Sequence, residues 1–118
     1  MVKAAEASIK FAHAIERKFD AQQHAEAAAH GYEAADFTVQ VMPGQKYDRL
    51  VQSDGGYGRS VHAFVRKSDG ALIKAAGWKA PQKNADGTDA VRFDISTPTG
   101  MHAAIESADR FGSYLYVR

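Results

Sequence analysis

Residues 60–78 read SVHAFVRKSDGALIKAAGW, two β-rich runs joined by a short polar segment. Asp69-Gly70 lies between the runs, and an Asp-Gly pair flanked by strand-forming residues is a strong short-range signal for a β-hairpin. The pattern therefore predicts that SVHAFVRK and ALIKAAGW are antiparallel neighbours. Side chains alternate along a strand, so the prediction also places Trp78 on the same face as Lys74.

A long helix is predicted before this hairpin. Residues 3 to about 30 contain many alanines and neither glycine nor proline, and alanine is the best helix former. Gly31 follows as a C-terminal stop. The larger apolar residues of this segment recur at steps of three and four, which indicates one buried stripe: Ile9, Phe11, Ala12, Ile15 and Phe19.

Further strands and a second helix complete the predicted fold. Period-two runs predict strands at residues 37–42, 47–52 and 91–95, and SYLYVR at 113–118 predicts a final strand. Thr97 or Thr99 is a suitable cap for a shorter helix that continues through residues 101–111. These elements indicate one α+β domain over residues 1–118, in which both helices pack on an antiparallel sheet of about four to five strands.

The composition excludes several classes of site. The chain has no cysteine, which rules out disulfides, thiolate catalysis and cysteine-ligated metals. Among the five histidines, His24 and His30 point about 240° apart on a helix and cannot share an ion. We therefore expect no metal site and no cofactor. No apolar run approaches the about 20 residues of a membrane span, so we expect no membrane association.

The sequence also contains no motif that favours an enzyme. A Gly-x-Ser-x-Gly elbow is absent, and the aspartates lie in turn segments where they can accept backbone N–H bonds. The glycine-rich segment SDGGYGRS at 53–60 precedes a β-run rather than a helix, so it does not match a phosphate-binding loop. We read it as a flexible connection whose useful side chains are Tyr57 and Arg59, and we expect no catalytic residue.

Charge is unevenly distributed along the chain. The net charge is only +1, yet residues 46–83 carry eight basic and three acidic groups, +5 in total. The segments 1–36 and 84–118 each carry −2. A basic centre between acidic ends indicates either a surface for an anionic partner or the solvated face of a sheet.

Trp78, the single tryptophan, has two interpretations. It is either a buried plug with a satisfied indole N–H or a stacking platform for a ligand. Aromatic rings interleaved with cations are typical of surfaces that bind single-stranded nucleic acid. On the second interpretation the candidate site comprises Tyr57, Arg59, His62, Phe64, Arg66, Lys74, Trp78, Lys79 and Lys83.

The stretch GALIKAAGWKAP, read with SVHAFVRKSDG before it, resembles a set of small uncharacterised proteins encoded by tailed bacteriophages. The matching residues are Val61, Phe64, Gly70, Lys74, Trp78, Lys79, Ala80 and Pro81. The likeness covers about half the chain and extends loosely to the closing GSYLYVR. It implies a phage origin and location in the host cytoplasm or the virion, and no activity. The acidic loop NADGTDA departs from the more basic continuation expected there.

These observations predict a non-enzymatic phage protein whose basic, Trp78-centred hairpin binds an anionic partner, with nucleic acid the first choice. The alternative is a protein-binding role, as a virion component or as a factor that occupies a host or defence protein. In that case the strands would offer an edge or a hot spot. Oligomerisation stays open.

Overall fold

The computed structural model describes residues 3–55 and 58–116. Helix α1 covers Glu6–Ala29, and strands β1 to β5 cover Thr38–Pro43, Tyr47–Ser53, Ser60–Arg66, Ala71–Lys74 and Val91–Asp94. Helix α2, Pro98–Ser107, and a 3-10 turn, Ser113–Leu115, follow. The predicted α+β class is confirmed, with a long first helix and a shorter second one. Neither described helix is long and apolar enough to span a bilayer.

The five strands form one antiparallel sheet in the order of the chain, β1-β2-β3-β4-β5. The predicted β3–β4 hairpin is confirmed, with Ala71 opposite Arg66. Gly70 makes its turn possible because its φ of +75° is costly for any residue with a side chain. The register between β2 and β3 shifts after Leu50, which pairs with Ala63 while Val51 pairs with Val61. His62 is therefore the extra residue of a β-bulge.

One face of the sheet, called the inner face here, lies beneath the helices. Phe11, Ile15 and Phe19 of α1 are fully buried against inner-face residues such as Leu50 and Leu72. The predicted apolar stripe is thus largely confirmed, although Ile9 is 42% exposed. Helix α2 adds Met101 and Ala104 to the same cluster. Removing such side chains from water is the main source of stability in the fold.

The start of α1 is held by a residue of the sheet rather than by its own cap. Ala5 occupies the N-cap position and offers no side-chain acceptor. Asp48 of β2, fully buried, accepts the Ala5 N–H through Oδ2 at 2.9 Å. Lys67 Nζ lies 3.5 Å from the other oxygen, an ion pair at the limit of hydrogen-bonding distance. Asp48 therefore ties the helix terminus to the sheet and places a negative charge at the positive end of the helix dipole.

Thr97 caps α2 as predicted, since its hydroxyl accepts the Gly100 N–H at 3.0 Å. The prediction of a final strand is wrong within the described residues, because residues 113–115 form a 3-10 turn. Asp109 is the reason: its carboxylate accepts the N–H groups of Phe111, Ser113 and Tyr114 at 2.9–3.1 Å. A side chain that binds three nearby amides keeps the backbone curled and away from a sheet.

The outer face of the sheet is covered by the long connection between β4 and β5. Strand β4 ends at Lys74, four residues before Trp78. The chain then folds back through two isolated pairs, Ala75 with Pro81 and Lys83 with Asp89. The predicted strand through Trp78 is therefore wrong at its end, and the alternation that placed Trp78 with Lys74 does not apply.

Candidate functional site

Trp78 lies on the outer face, where two arginine side chains contact its ring. The Arg49 guanidinium carbon is 5.3 Å from the centre of its ring, and that of Arg59 is 5.7 Å away. Both distances fall within the range of cation–π attraction. The tryptophan is 40% exposed, so it is neither sealed in the core nor free of the surface. Trp78 is therefore not a buried plug, and part of the residue is accessible to a ligand.

Arg49 sets the position of the indole, and the sequence did not single it out. Its Nε donates to the Trp78 carbonyl oxygen at 2.8 Å, and its guanidinium also lies 5.6 Å from the Phe64 ring. Arg49 and Phe64 are direct cross-strand partners of β2 and β3. The pairing of these two residues could not be predicted, because the glycine-rich connection between the strands is too long to fix a turn type and a register. The only sequence feature that marked Arg49 as a candidate was its positive charge.

Four cations of the outer face have no carboxylate partner among residues 3–55 and 58–116: Lys46, Arg49, Arg59 and Lys79. Lys46, Arg49 and Lys79 line one groove of about 170 Å³. The four cations and Trp78 form what we call the Trp78 face: Lys46, Arg49, Arg59, Trp78 and Lys79. Because no counter-charge lies within ion-pair distance of them in the described chain, this surface carries an uncompensated positive potential.

Phe64 and Tyr47 pack beneath the Trp78 face and are not part of the surface that a ligand would contact. Phe64 is only 3% exposed, and its ring centre is 6.0 Å from that of Tyr47 in an edge-to-face arrangement. The prediction that Phe64 takes part in binding therefore needs correction: its ring supports Arg49 from below and is not accessible for stacking.

Arg66 and Lys83, two cations of the predicted site, both form ion pairs with Asp89. The sequence pattern predicts only that the aspartates lie in turns. Asp89 accepts from Tyr47 Oη at 2.6 Å, from Arg66 at 3.0 Å and from Lys83. Burial alone would raise its pKa, but these three donors outweigh burial and lower the pKa of Asp89 to about 2. Hydrogen bonding to Asp69, and then the single hydrogen bond to Asp89, raises the pKa of Arg66 further above its ordinary value. This network is close to neutral and fixes the β4–β5 connection to the sheet.

His62 and Lys74 lie on the inner face, contrary to the prediction that they join the site. The bulge turns His62 toward α1, where it is 5% exposed and its ring centre is 5.5 Å from that of Phe19. Lys74 pairs with Ala63 of the inner face, and its Nζ lies 4.7 Å from the centre of the Tyr116 ring. Tyr57 lies outside the described residues.

The His62 ring is fully hydrogen-bonded. Nδ1 is 2.8 Å from Gln52 Oε1, and Nε2 is 2.6 Å from Tyr114 Oη. Gln52 Nε2 in turn donates to the Arg110 carbonyl. Burial lowers the pKa of His62 to about 4, with the charge of Asp109 opposing that effect. These contacts describe a neutral imidazole that joins the C-terminal segment to the sheet.

Arg59 also borders a larger cavity of about 690 Å³ on the other side of the sheet edge. Across it, Arg110 forms an ion pair with Glu26 at 2.6 Å. Arg110 is thereby neutralised, whereas Arg59 keeps its charge and contacts Trp78. The predicted residues that the structure brings together on one surface are thus Arg59, Trp78 and Lys79.

Comparisons with known proteins give one match. No curated protein and no solved structure is significantly similar to the chain. A family model described as "Family of unknown function (DUF7717)" matches residues 1–117. On that nearly complete match, the chain belongs to the DUF7717 family of unknown function.

Proposed function

We propose that this protein is a non-enzymatic binder of single-stranded nucleic acid and that the Trp78 face is its contact surface. The observation that supports it is the half-exposed indole flanked by arginines at 5.3 and 5.7 Å, within a group of four cations that lack carboxylate partners in the described chain. Phosphates would meet the cations, and an unpaired base would stack on Trp78 or on a guanidinium plane.

A single strand suits this surface better than a duplex. Stacking requires a base whose face is free, and bases within a duplex present only their edges. Trp78 sits on a loop above a sheet, without a described helix on that face to enter a major groove. The proposal therefore predicts a preference for single strands with little sequence selectivity.

One observation supports the alternative proposal, that the protein binds another protein. Tryptophan and arginine are enriched at the centres of protein interfaces, and the Trp78 face contains both. Pairing through the edge strand β1 is less favourable, because α1 already supplies acceptors there. Asp20 accepts the Phe37 N–H at 2.8 Å, Glu16 accepts the Val39 N–H at 2.9 Å, and Pro43 has no N–H to offer.

Salt dependence separates the two proposals. Neutralising up to four phosphates of a single strand gives a slope of about −3 in log K against log salt. A tryptophan-centred protein interface responds weakly to salt. The assay is fluorescence anisotropy with labelled oligothymidylate and with a duplex of equal length, across a salt series. Because Trp78 is the only tryptophan, quenching of its intrinsic emission reports stacking in the same samples.

Charge-matched variants test the surface. We expect Arg59→Ala and Lys79→Ala to weaken binding and flatten the salt slope, whereas Arg17→Ala and Lys10→Ala, exposed on α1, leave both unchanged. Trp78→Ala should weaken binding roughly five- to hundredfold. Absence of binding to either probe at low salt, or equal losses in the α1 controls, would remove the proposal.

The phage origin, and with it the location in the host cytoplasm or the virion, remains a prediction from the sequence resemblance. The binding assays above do not depend on it.

A further inference from the structure

Three side chains capable of binding a metal converge on the exposed side of α1, away from the Trp78 face. Asp20 and His24 lie one turn apart on the helix, and Asp36 lies in the segment that leads into β1. One ligand atom from each, His24 Nε2 and a carboxylate oxygen of each aspartate, lies within 4.8 Å of the other two. These are the groups that borderline divalent metals bind.

The separations match those of a metal's coordination sphere. His24 Nε2 is 3.3 Å from Asp20 Oδ1 and 3.2 Å from Asp36 Oδ1. Zinc binds nitrogen and oxygen at about 2.0–2.2 Å in tetrahedral geometry, which places its ligands about 3.3–3.5 Å from each other. Both histidine–aspartate separations therefore suit a single ion, and the two aspartate oxygens lie within 4.8 Å of each other.

The electrostatics favour a cation at this point. Two carboxylates direct an oxygen at one imidazole nitrogen, and a neutral ring has at most one proton there to share between them. Asp20 Oδ1 is held in place because it also accepts the Phe37 N–H at 2.8 Å. A divalent ion would replace the proton, balance both negative charges and use the lone pair of Nε2.

We propose that Asp20, His24 and Asp36 form an open site for a divalent transition metal of the zinc class, with water as the remaining ligand. The imidazole selects such metals over Mg²⁺ and Ca²⁺, which prefer oxygen ligands only. Binding would join α1 to the segment that precedes β1 and so stabilise the folded chain. His24 and Asp36 are twelve residues apart, so helical spacing alone does not reveal the site.

Untagged protein titrated with Zn²⁺ against a fluorescent chelator tests the proposal, with the d–d absorption of bound Co²⁺ as a second readout. We expect one ion per chain, a higher melting temperature with Zn²⁺, and no effect of Mg²⁺. His24→Gln and Asp36→Asn should each lower Zn²⁺ affinity at least about tenfold, since even second-shell changes cost that much. Asp36 is 84% exposed, so its change leaves folding intact.

His102→Gln is the matched control. His102 pairs with Glu106 at the same helical spacing, 3.8 Å apart, but without a third ligand in the described chain. Its removal should leave Zn²⁺ binding unchanged. Absence of Zn²⁺ binding by the wild type, full retention of binding in His24→Gln and Asp36→Asn, or an equal loss in His102→Gln would each overturn the site.

Discussion

Lowering the pH from 7.5 to 5.0 should reduce the free energy of unfolding by about 2 kcal/mol through one side chain, His62. The imidazole is 5% exposed and both of its nitrogens are engaged, by Gln52 and by Tyr114. A neutral ring with its proton on Nδ1 donates to Gln52 Oε1 and accepts from Tyr114 Oη. A second proton would turn the ring into a double donor and leave the Tyr114 hydroxyl hydrogen without its acceptor.

The sign and size follow from the pKa. Burial lowers the pKa of His62 from 6.5 to about 4, so between these values the unfolded chain binds the proton and the folded chain does not. This contribution to stability is complete above pH 6.5, declines as the pH falls, and is lost by pH 4. The total loss is about 3 kcal/mol, of which about 2 kcal/mol has occurred at pH 5.0.

Urea unfolding at the two pH values measures this difference. The four aspartates with lowered pKa values contribute little in this window, because they lose their contributions only below their ordinary value of 3.8: Asp69, Asp86, Asp89 and Asp109. The variant that removes the ring assigns the remaining change to His62. His62→Gln keeps an amide that donates and accepts, and it cannot titrate. Its stability should change by less than about 0.5 kcal/mol across the window.

His13→Gln is the control, since His13 is exposed on α1 and its loss should leave the wild-type pH dependence intact. Each protein is compared with itself at two pH values, so any constant cost of the substitution cancels. If His62→Gln fails to fold, an NMR titration of the wild-type ring gives the same answer directly. A His62 midpoint at or above 6.5, or an unchanged pH response in His62→Gln, would refute the reasoning.

Three further predictions test individual contacts of the fold. Asp48→Ala removes the acceptor of the Ala5 N–H and the partner of Lys67, and should lower the free energy of unfolding by about 2–4 kcal/mol in urea; an unchanged midpoint would show that Asp48 does not anchor α1. Gly70→Ala should cost at least about 2 kcal/mol, because its φ is +75° and a Cβ would lie 2.8 Å from Ser96 Cβ, whereas Gly87→Ala at φ +86° with no atom within 4 Å should cost only about 1 kcal/mol. Asp89→Asn should lower the free energy of unfolding by about 1–3 kcal/mol. On the proposed function it should also strengthen oligothymidylate binding, because Arg66 and Lys83 lose a carboxylate partner. Weaker binding in this variant would contradict the assignment of the surface.

Elements with local signals were predictable from the sequence. Asp69-Gly70 defines the β3–β4 turn by itself, and Thr97 accepts the amide three residues later. The alanine-rich segment before Gly31 likewise forms α1, which ends at Ala29. In each case the residues that decide the structure are within a few positions of one another, so the pattern contains the necessary information.

Features that depend on distant partners were not predictable. The bulge that moves His62 to the inner face results from the pairing of β2 with β3 across a connection without a turn rule. Trp78 left the predicted strand because the chain pairs Ala75 with Pro81 and leaves the sheet after Lys74. Tyr114 is held by Asp109 and His62 rather than by a strand partner. Alternation along a strand gives the face of a side chain only while the pairing continues without interruption.

Most of the positive charge of residues 46–83 lies on two neighbouring parts of the outer face, the Trp78 face and the network around Asp89, which differ in how their cations are paired. The acidic loop at residues 84–90 argues against an anionic partner by its charge alone, yet both of its carboxylates accept hydrogen bonds from other residues of the described chain. Asp86 accepts from Thr88 in its own turn, and Asp89 accepts from Tyr47, Arg66 and Lys83. Ion pairing acts over a few ångströms, and salt screens exposed charges beyond about 8–10 Å. Asp69 and Asp89 together therefore neutralise Arg66 and Lys83, and no carboxylate of the described loop forms an ion pair with the Trp78 face. Local pairing, and not the net charge of +1, thus decides what this surface can bind.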